Sequence, residues 1–155
     1  MSITEKILNL LNSHKISYEK TEHEPVISSQ DAARIRGTDL SMGAKALVFF
    51  ADNKPLLIVV PGDKKVDTNK FKKQFKIEDL RMPSQDELIT VAGVERGGVP
   101  PFGSVLGLKT YCDKKIKEKD KIVFNAGSKT VSILMNAKDY ILVENPILGD
   151  FSQTT

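Results

Sequence analysis

The chain has no tryptophan, one cysteine and two histidines among its 155 residues. A lone cysteine, Cys112, excludes an intramolecular disulfide and a cysteine-based zinc cluster. It follows a strand-like run and reads as a packing residue rather than a nucleophile. His14 and His23 have no second ligand at metal-site spacing, so no metal is expected. No apolar run approaches the roughly 20 residues of a membrane span. The N-terminal MSITEKILNLL lacks a basic region leading into an apolar stretch and a cleavage site, so the expected location is the cytosol, away from membranes. Neither a G-x-S-x-G elbow nor a G-x-x-x-x-G-K-[ST] phosphate loop occurs. The adjacent Asp86 and Glu87 fall in the first turn of a predicted helix, where its dipole accounts for them.

What remains has the balance of a soluble globular protein, 40% hydrophobic and 28% charged, and its length fits one domain spanning residues 1–155. The net charge of +3 is unevenly spread. Six lysines (64, 65, 70, 72, 73, 76) stand against the single acid Asp67, and five more (114, 115, 117, 119, 121) against Glu118 and Asp120. Charge alone makes both clusters solvated faces, although each has the sign to meet phosphates.

Capping and periodicity order the elements. Ser2-x-x-Glu5 opens a helix carrying Ile3, Ile7, Leu8 and Leu11, and residues 16–22 alternate like a strand. Ser28 or Ser29 caps a helix that Gly37 ends. Residues 46–51 and 55–60 form a hairpin of buried strands, and Asp67 caps a short basic helix with Phe71 and Phe75. A second capping box, Ser84-x-x-Glu87, starts a helix that Gly93 stops. A strand over 105–111, a hairpin of 121–127 with 130–135, a helix capped by Asn136 and a polar tail from Ser152 to Thr155 follow. Helices interspersed with hairpins predict an α+β fold with a mixed, largely antiparallel sheet.

Two features stand out as chemistry. GVERGGVPPFG, residues 93–103, gathers four glycines and two prolines; such a stiff loop with unobstructed amides can hold a carbonyl or a phosphate. Lys45 stands at the mouth of the buried strand that begins at Ala46, where its charge must face a cleft or water.

These residues also carry a resemblance. Lys45-Ala46-Leu47-Val48, Val59-Val60-Pro61-Gly62-Asp63, Gly97-Gly98-Val99-Pro100-Pro101-Phe102-Gly103 and Asn125-Ala126-Gly127-Ser128 occur in the order seen in the YbaK-like aminoacyl-tRNA deacylases, relatives of the editing domain of bacterial prolyl-tRNA synthetases. It extends from about His23 to Leu142. It implies a barrel-like curled sheet surrounded by helices, and hydrolysis of the ester joining a wrong amino acid to a tRNA 3′ end. It further implies no metal or other cofactor, with aminoacyl-tRNA and an aminoacyl-tRNA synthetase as partners. Residue by residue, Lys45, Gly98 and Gly103 match the catalytic positions, and His23, Gly97, Pro101, Phe102, Gly127 and Ser128 the substrate-binding ones. Pro100 occupies a place where relatives often have a small polar residue. A non-catalytic tRNA- or protein-binding module and a small-molecule ester or thioester hydrolase remain as alternatives.

Overall fold

Residues 1–154 are described in a computed structural model. In chain order they form α1 (Ile3–Ser13), β1 (Tyr18–Glu22), α2 (Ser29–Arg36), a 3-10 turn (Leu40–Met42), β2 (Ala44–Ala51) and β3 (Lys54–Pro61). Next come β4 (Lys64–Val66), α3 (Thr68–Phe75), β5 (Leu80–Arg81), α4 (Gln85–Ala92), α5 (Gly103–Leu106) and β6 (Thr110–Asp113). The remainder is α6 (Lys114–Lys117), β7 (Lys121–Asn125), β8 (Val131–Asn136), α7 (Ala137–Glu144), β9 (Ile147–Gly149) and β10 (Ser152–Thr154).

Local chemistry starts the helices where expected. The hydroxyls of Ser2, Ser28 and Ser84 and the carboxylate of Asp67 each accept an amide in the first turn of α1, α2, α4 and α3. At α4 the bond is reciprocated, because the Glu87 carboxylate accepts from the Ser84 amide at 2.9 Å. The β2–β3 hairpin turns through Asp52 and Asn53, both at positive φ (48° and 68°), as a two-residue turn between twisted strands requires.

The largest sheet has the order β5-β2-β3-β6-β9. The β2–β3 and β2–β5 pairs are antiparallel, and β3–β6 and β6–β9 are parallel. Both faces are covered, which explains why β2 and β3 read as continuous apolar runs. Ala44, Val48, Leu57 and Val59 meet α1, α4, α7 and the β7–β8 pair on one face. Phe49, Ile58 and Val60 meet α3 and Phe151 on the other, where Phe71, Phe75, Tyr111 and Phe151 pack mostly edge-on. Phe71 is fully buried, a contribution of about 1.5–3 kcal/mol from that side chain.

A mixed α+β architecture therefore stands, but the sheet does not close into a barrel. Strands β1-β8-β7 and β10-β4 form separate ladders, and a single parallel bridge, Gly43 to Val123, joins β7 to the chain entering β2. Beyond that bridge β2 keeps β3 along one edge, while its other edge meets only β5 at Phe50 and Ala51. The expected strand over 105–111 is also corrected: Gly103–Leu106 is a helical turn ended by Gly107, and the strand begins at Thr110. The expected polar tail is instead strand β10, its residues Ser152–Thr154 paired with β4; Thr155 lies outside the described residues. No helix among the described residues is long and apolar enough to cross a membrane.

Candidate active site

The unclosed gap between β2 and β7 is a cleft of about 220 Å³. Ala44–Leu47 form one wall, Val123–Asn125 another, and α2 and the segment around Gly97 complete it. Backbone bonds from His23 to Thr130 (2.9 Å) and from Val26 to Lys129 (3.1 Å) tie the chain entering α2 to the β7–β8 connection, bringing Val26 and Ile27 to the rim.

Lys45 lines this cleft, half-buried, and its ammonium donates to the Lys64 carbonyl. Burial lowers its pKa, and the charge of Asp63 offsets part of that shift. The other charged lining residues are Arg36, Arg96 and Asp39, so the cleft carries an excess of positive charge. Its remaining surface is largely small and apolar, including Ala32, Ala44, Ala46 and Val99.

Among the loop residues, Gly97 alone of the expected site glycines reaches the cleft. It sits at φ 92°, and its carbonyl accepts from the Asn125 side-chain amide. Gly98 is buried beneath it, with its N–H donated to the Glu95 carbonyl at 3.0 Å. Gly103 donates its N–H to Thr110 Oγ1 at 3.0 Å, and that hydroxyl donates to Glu144 at 2.6 Å. The expectation that the Gly98 and Gly103 amides face a substrate carbonyl is thus at odds with the geometry: both donors are already used inside the protein. Phe102 and Pro101 likewise belong to the core. Phe102 is fully buried against Phe124 and Tyr140, with centroids 5.5 and 5.2 Å away, and Pro101 accepts the Tyr140 hydroxyl at 2.6 Å. Gly127 abuts Ile3, and Ser128 bonds Thr130, both away from the cleft lining. Pro100 is buried as well.

His23 is two hydrogen bonds removed from the cleft, through Ser132 to Arg36. Its Nδ1 lies 2.7 Å from the Glu24 carbonyl, which only accepts, so in the neutral ring Nδ1 carries the proton and Nε2 accepts from Ser132 Oγ at 2.7 Å. Ser132 also accepts Arg36 Nε at 2.8 Å, and Arg36 Nη2 donates to Asn125 Oδ1 at 2.7 Å. Burial pulls the Arg36 guanidinium down to about 10, and no carboxylate among the described residues pairs with it. Sequence reasoning missed Arg36 and Ser132. Arg36 looks like a basic residue favoured at a helix C-terminus, and the only trace of Ser132 was a polar position within an apolar strand. Cys112 is fully buried, and that burial pushes its thiol well above the usual range, as its packing role requires.

The profile of the aminoacyl-tRNA editing domain matches residues 23–142, a segment that contains every cleft-lining residue. The multifunctional Ser/Thr-tRNA deacylase ProXp-y of Escherichia coli (strain K12) is 28% identical over 155 residues, covering 97% of this chain and 93% of that protein. A proline–tRNA ligase of Sulfurihydrogenibium sp. (strain YO3AOP1) is 31% identical over 134 residues, 86% of this chain but 22% of the ligase. In fold, the crystal structure of a candidate trans-editing enzyme for prolyl-tRNA synthetase superposes with a TM-score of 0.82 at 18% identity, covering 99% of this chain and 98% of that one. With a cationic cleft lying wholly inside the matched segment, the chain belongs to the aminoacyl-tRNA editing domain family.

Proposed function

We propose that this protein is a trans-editing hydrolase, one domain over residues 1–155, that deacylates mischarged aminoacyl-tRNA in the cytoplasm, where an aminoacyl-tRNA synthetase supplies the error. The observation that carries this reading is Lys45, half-buried on the wall of a small cationic cleft within the family segment. Water adds to the ester carbonyl, the bond to the ribose oxygen breaks, and the products are a free amino acid and a restored tRNA hydroxyl. The ester is already activated, so placement and charge supply the catalysis. Lys45 presents positive charge to the ester or to the terminal nucleotide. The edge of β2 that lacks a strand partner over residues 44–49 offers backbone groups, a role that Gly98 and Gly103 do not fill. Small apolar walls admit a short aminoacyl side chain, which suits a second sieve for errors that a synthetase rejects only weakly. His23 acts through Ser132 rather than on the substrate. A non-catalytic binding module is not favoured, because it has no use for a desolvated lysine in a cleft.

The test is a deacylation panel of cysteinyl-, alanyl-, seryl- and threonyl-tRNA: at least one should be hydrolysed well above the spontaneous rate. Silence across the panel and across bulkier aminoacyl-tRNAs would remove the assignment.

The bond from Lys45 to the Lys64 carbonyl makes the first lysine cluster begin at the cleft. In the second cluster, Lys115 is engaged with Asp113 and Asp150. Charge reversal at Lys70, Lys73 and Lys76 should therefore weaken tRNA binding and flatten its salt dependence by about 0.9 in log–log slope for each phosphate that is no longer neutralised. Hydrolysis of a minimal aminoacyl-nucleotide should hold. An unchanged salt slope would return this face to plain solvation.

A further inference from the structure

We infer that Arg36 is a positioning residue that sets the size selectivity of the cleft, acting through Asn125 on the carbonyl of Gly97. The inference rests on the deacylase reading and names what shapes that same site.

The chain of bonds has one consistent polarity. Arginine only donates, so the Asn125 amide must turn its oxygen toward Nη2 of Arg36, 2.7 Å away. Its Nδ2 then necessarily points the other way, where it donates to the Gly97 carbonyl. Arg36 is itself held by Nε on Ser132, which His23 bonds from the far side. A planar guanidinium spanning two acceptors fixes both, whereas a lysine ammonium is a point charge on a flexible stem.

The segment so clamped is otherwise lightly held. Glu95, Arg96 and Gly97 are exposed, and Gly97 stands at positive φ. The tip closes on itself through the Gly98 amide and the Glu95 carbonyl, and its other side-chain tie among the described residues is the ion pair of Glu95 with Lys129 at 3.7 Å. Arg96, Gly97 and Val99 nevertheless form a wall of the cleft facing Ala46 and Leu47. Moving that wall outward by the width of a methyl group changes which side chains fit. A burial cost on Arg36 with no carboxylate among the described residues to offset it is explained by this duty: a carboxylate in place of Asn125 would hold the cation but has no N–H to give Gly97.

Asn125→Asp separates the two links, since it keeps an acceptor for Arg36 and deletes the donor to Gly97. The ratio of kcat/KM for seryl-tRNA over prolyl-tRNA should fall about ten-fold or more in Asn125→Asp, Arg36→Ala and Arg36→Lys, chiefly by gain on the larger substrate. The Arg36→Ala, Asn125→Ala double variant should be no less selective than the worse single one, because both break one chain. Amide exchange at Gly97 and Gly98 should rise in every variant, with Asn125→Asp melting like the wild type. Equal losses on both substrates, additive effects in the double variant, or unchanged loop exchange would overturn the clamp. If the wild type hydrolyses no aminoacyl-tRNA, the deacylase reading fails on its own, and the exchange measurement still decides whether Arg36 holds the loop.

Discussion

Lys45→Ala should lose about two to three orders of magnitude in deacylation, the scale on which removal of one well-placed electrostatic donor acts. The fold should survive. The side chain is half-buried at a cleft wall, and its one hydrogen bond among the described residues goes to a backbone carbonyl that solvent replaces once the stem is gone. Far-ultraviolet circular dichroism and a cooperative melt matching the wild type would establish that the loss is chemical. Lys45→Arg should recover part of the rate, since charge is retained but a bulkier fork enters a cleft of about 220 Å³. Near-normal turnover by Lys45→Ala would take the ammonium out of the mechanism and leave the edge of β2 to act alone.

Gly103→Ala should cost stability rather than chemistry, by about 2–4 kcal/mol. A Cβ there would run into Thr110 Oγ1 and stand 2.5 Å from the Leu108 carbonyl. Neither neighbour is free to retreat. Thr110 is fixed between the Gly103 amide and Glu144, and Glu144 also takes the amide and hydroxyl of Ser104 at 3.1 and 2.6 Å. Leu108 is tied back by its own amide to the Gly103 carbonyl at 2.9 Å. Gly98→Ala is the contrast, because its new methyl would meet Glu95 and Ser128 at 3.4 Å, close enough to need only a small adjustment. That variant should lose no more than about 1 kcal/mol. Urea denaturation of the pair checks both. A Gly103→Ala protein that unfolds like the wild type yet has lost turnover would put the loop back into the catalytic centre.

The elements legible in the sequence are those whose cause lies within a few residues. Ser84 and Glu87 close a capping box across one turn, and Asp52-Asn53 turns a hairpin because both tolerate positive φ. That Lys45 faces either a cleft or water was legible for a similar reason, since a charge directly before a buried strand has few places to go; which of the two it meets was not. The helical turn at Gly103–Leu106 was not, because Val105 and Leu106 have strand-like character and the carboxylate that holds the start of the turn, at Ser104, is that of Glu144, on α7. Nor was the fate of the glycine-proline loop. Glycine abundance signals unobstructed amides, but whether an amide is open to a ligand depends on its partner, and Thr110 already claims that of Gly103. The clamp on Gly97 joins Arg36, Asn125 and Ser132, the first separated from the other two by 89 and 96 positions. Sequence carried the local turns and caps, where backbone preference and neighbouring side chains suffice; only the tertiary structure decided which donors were spent in the core and which stayed at the cleft, because hydrogen-bond partners so distant in the chain are chosen by packing.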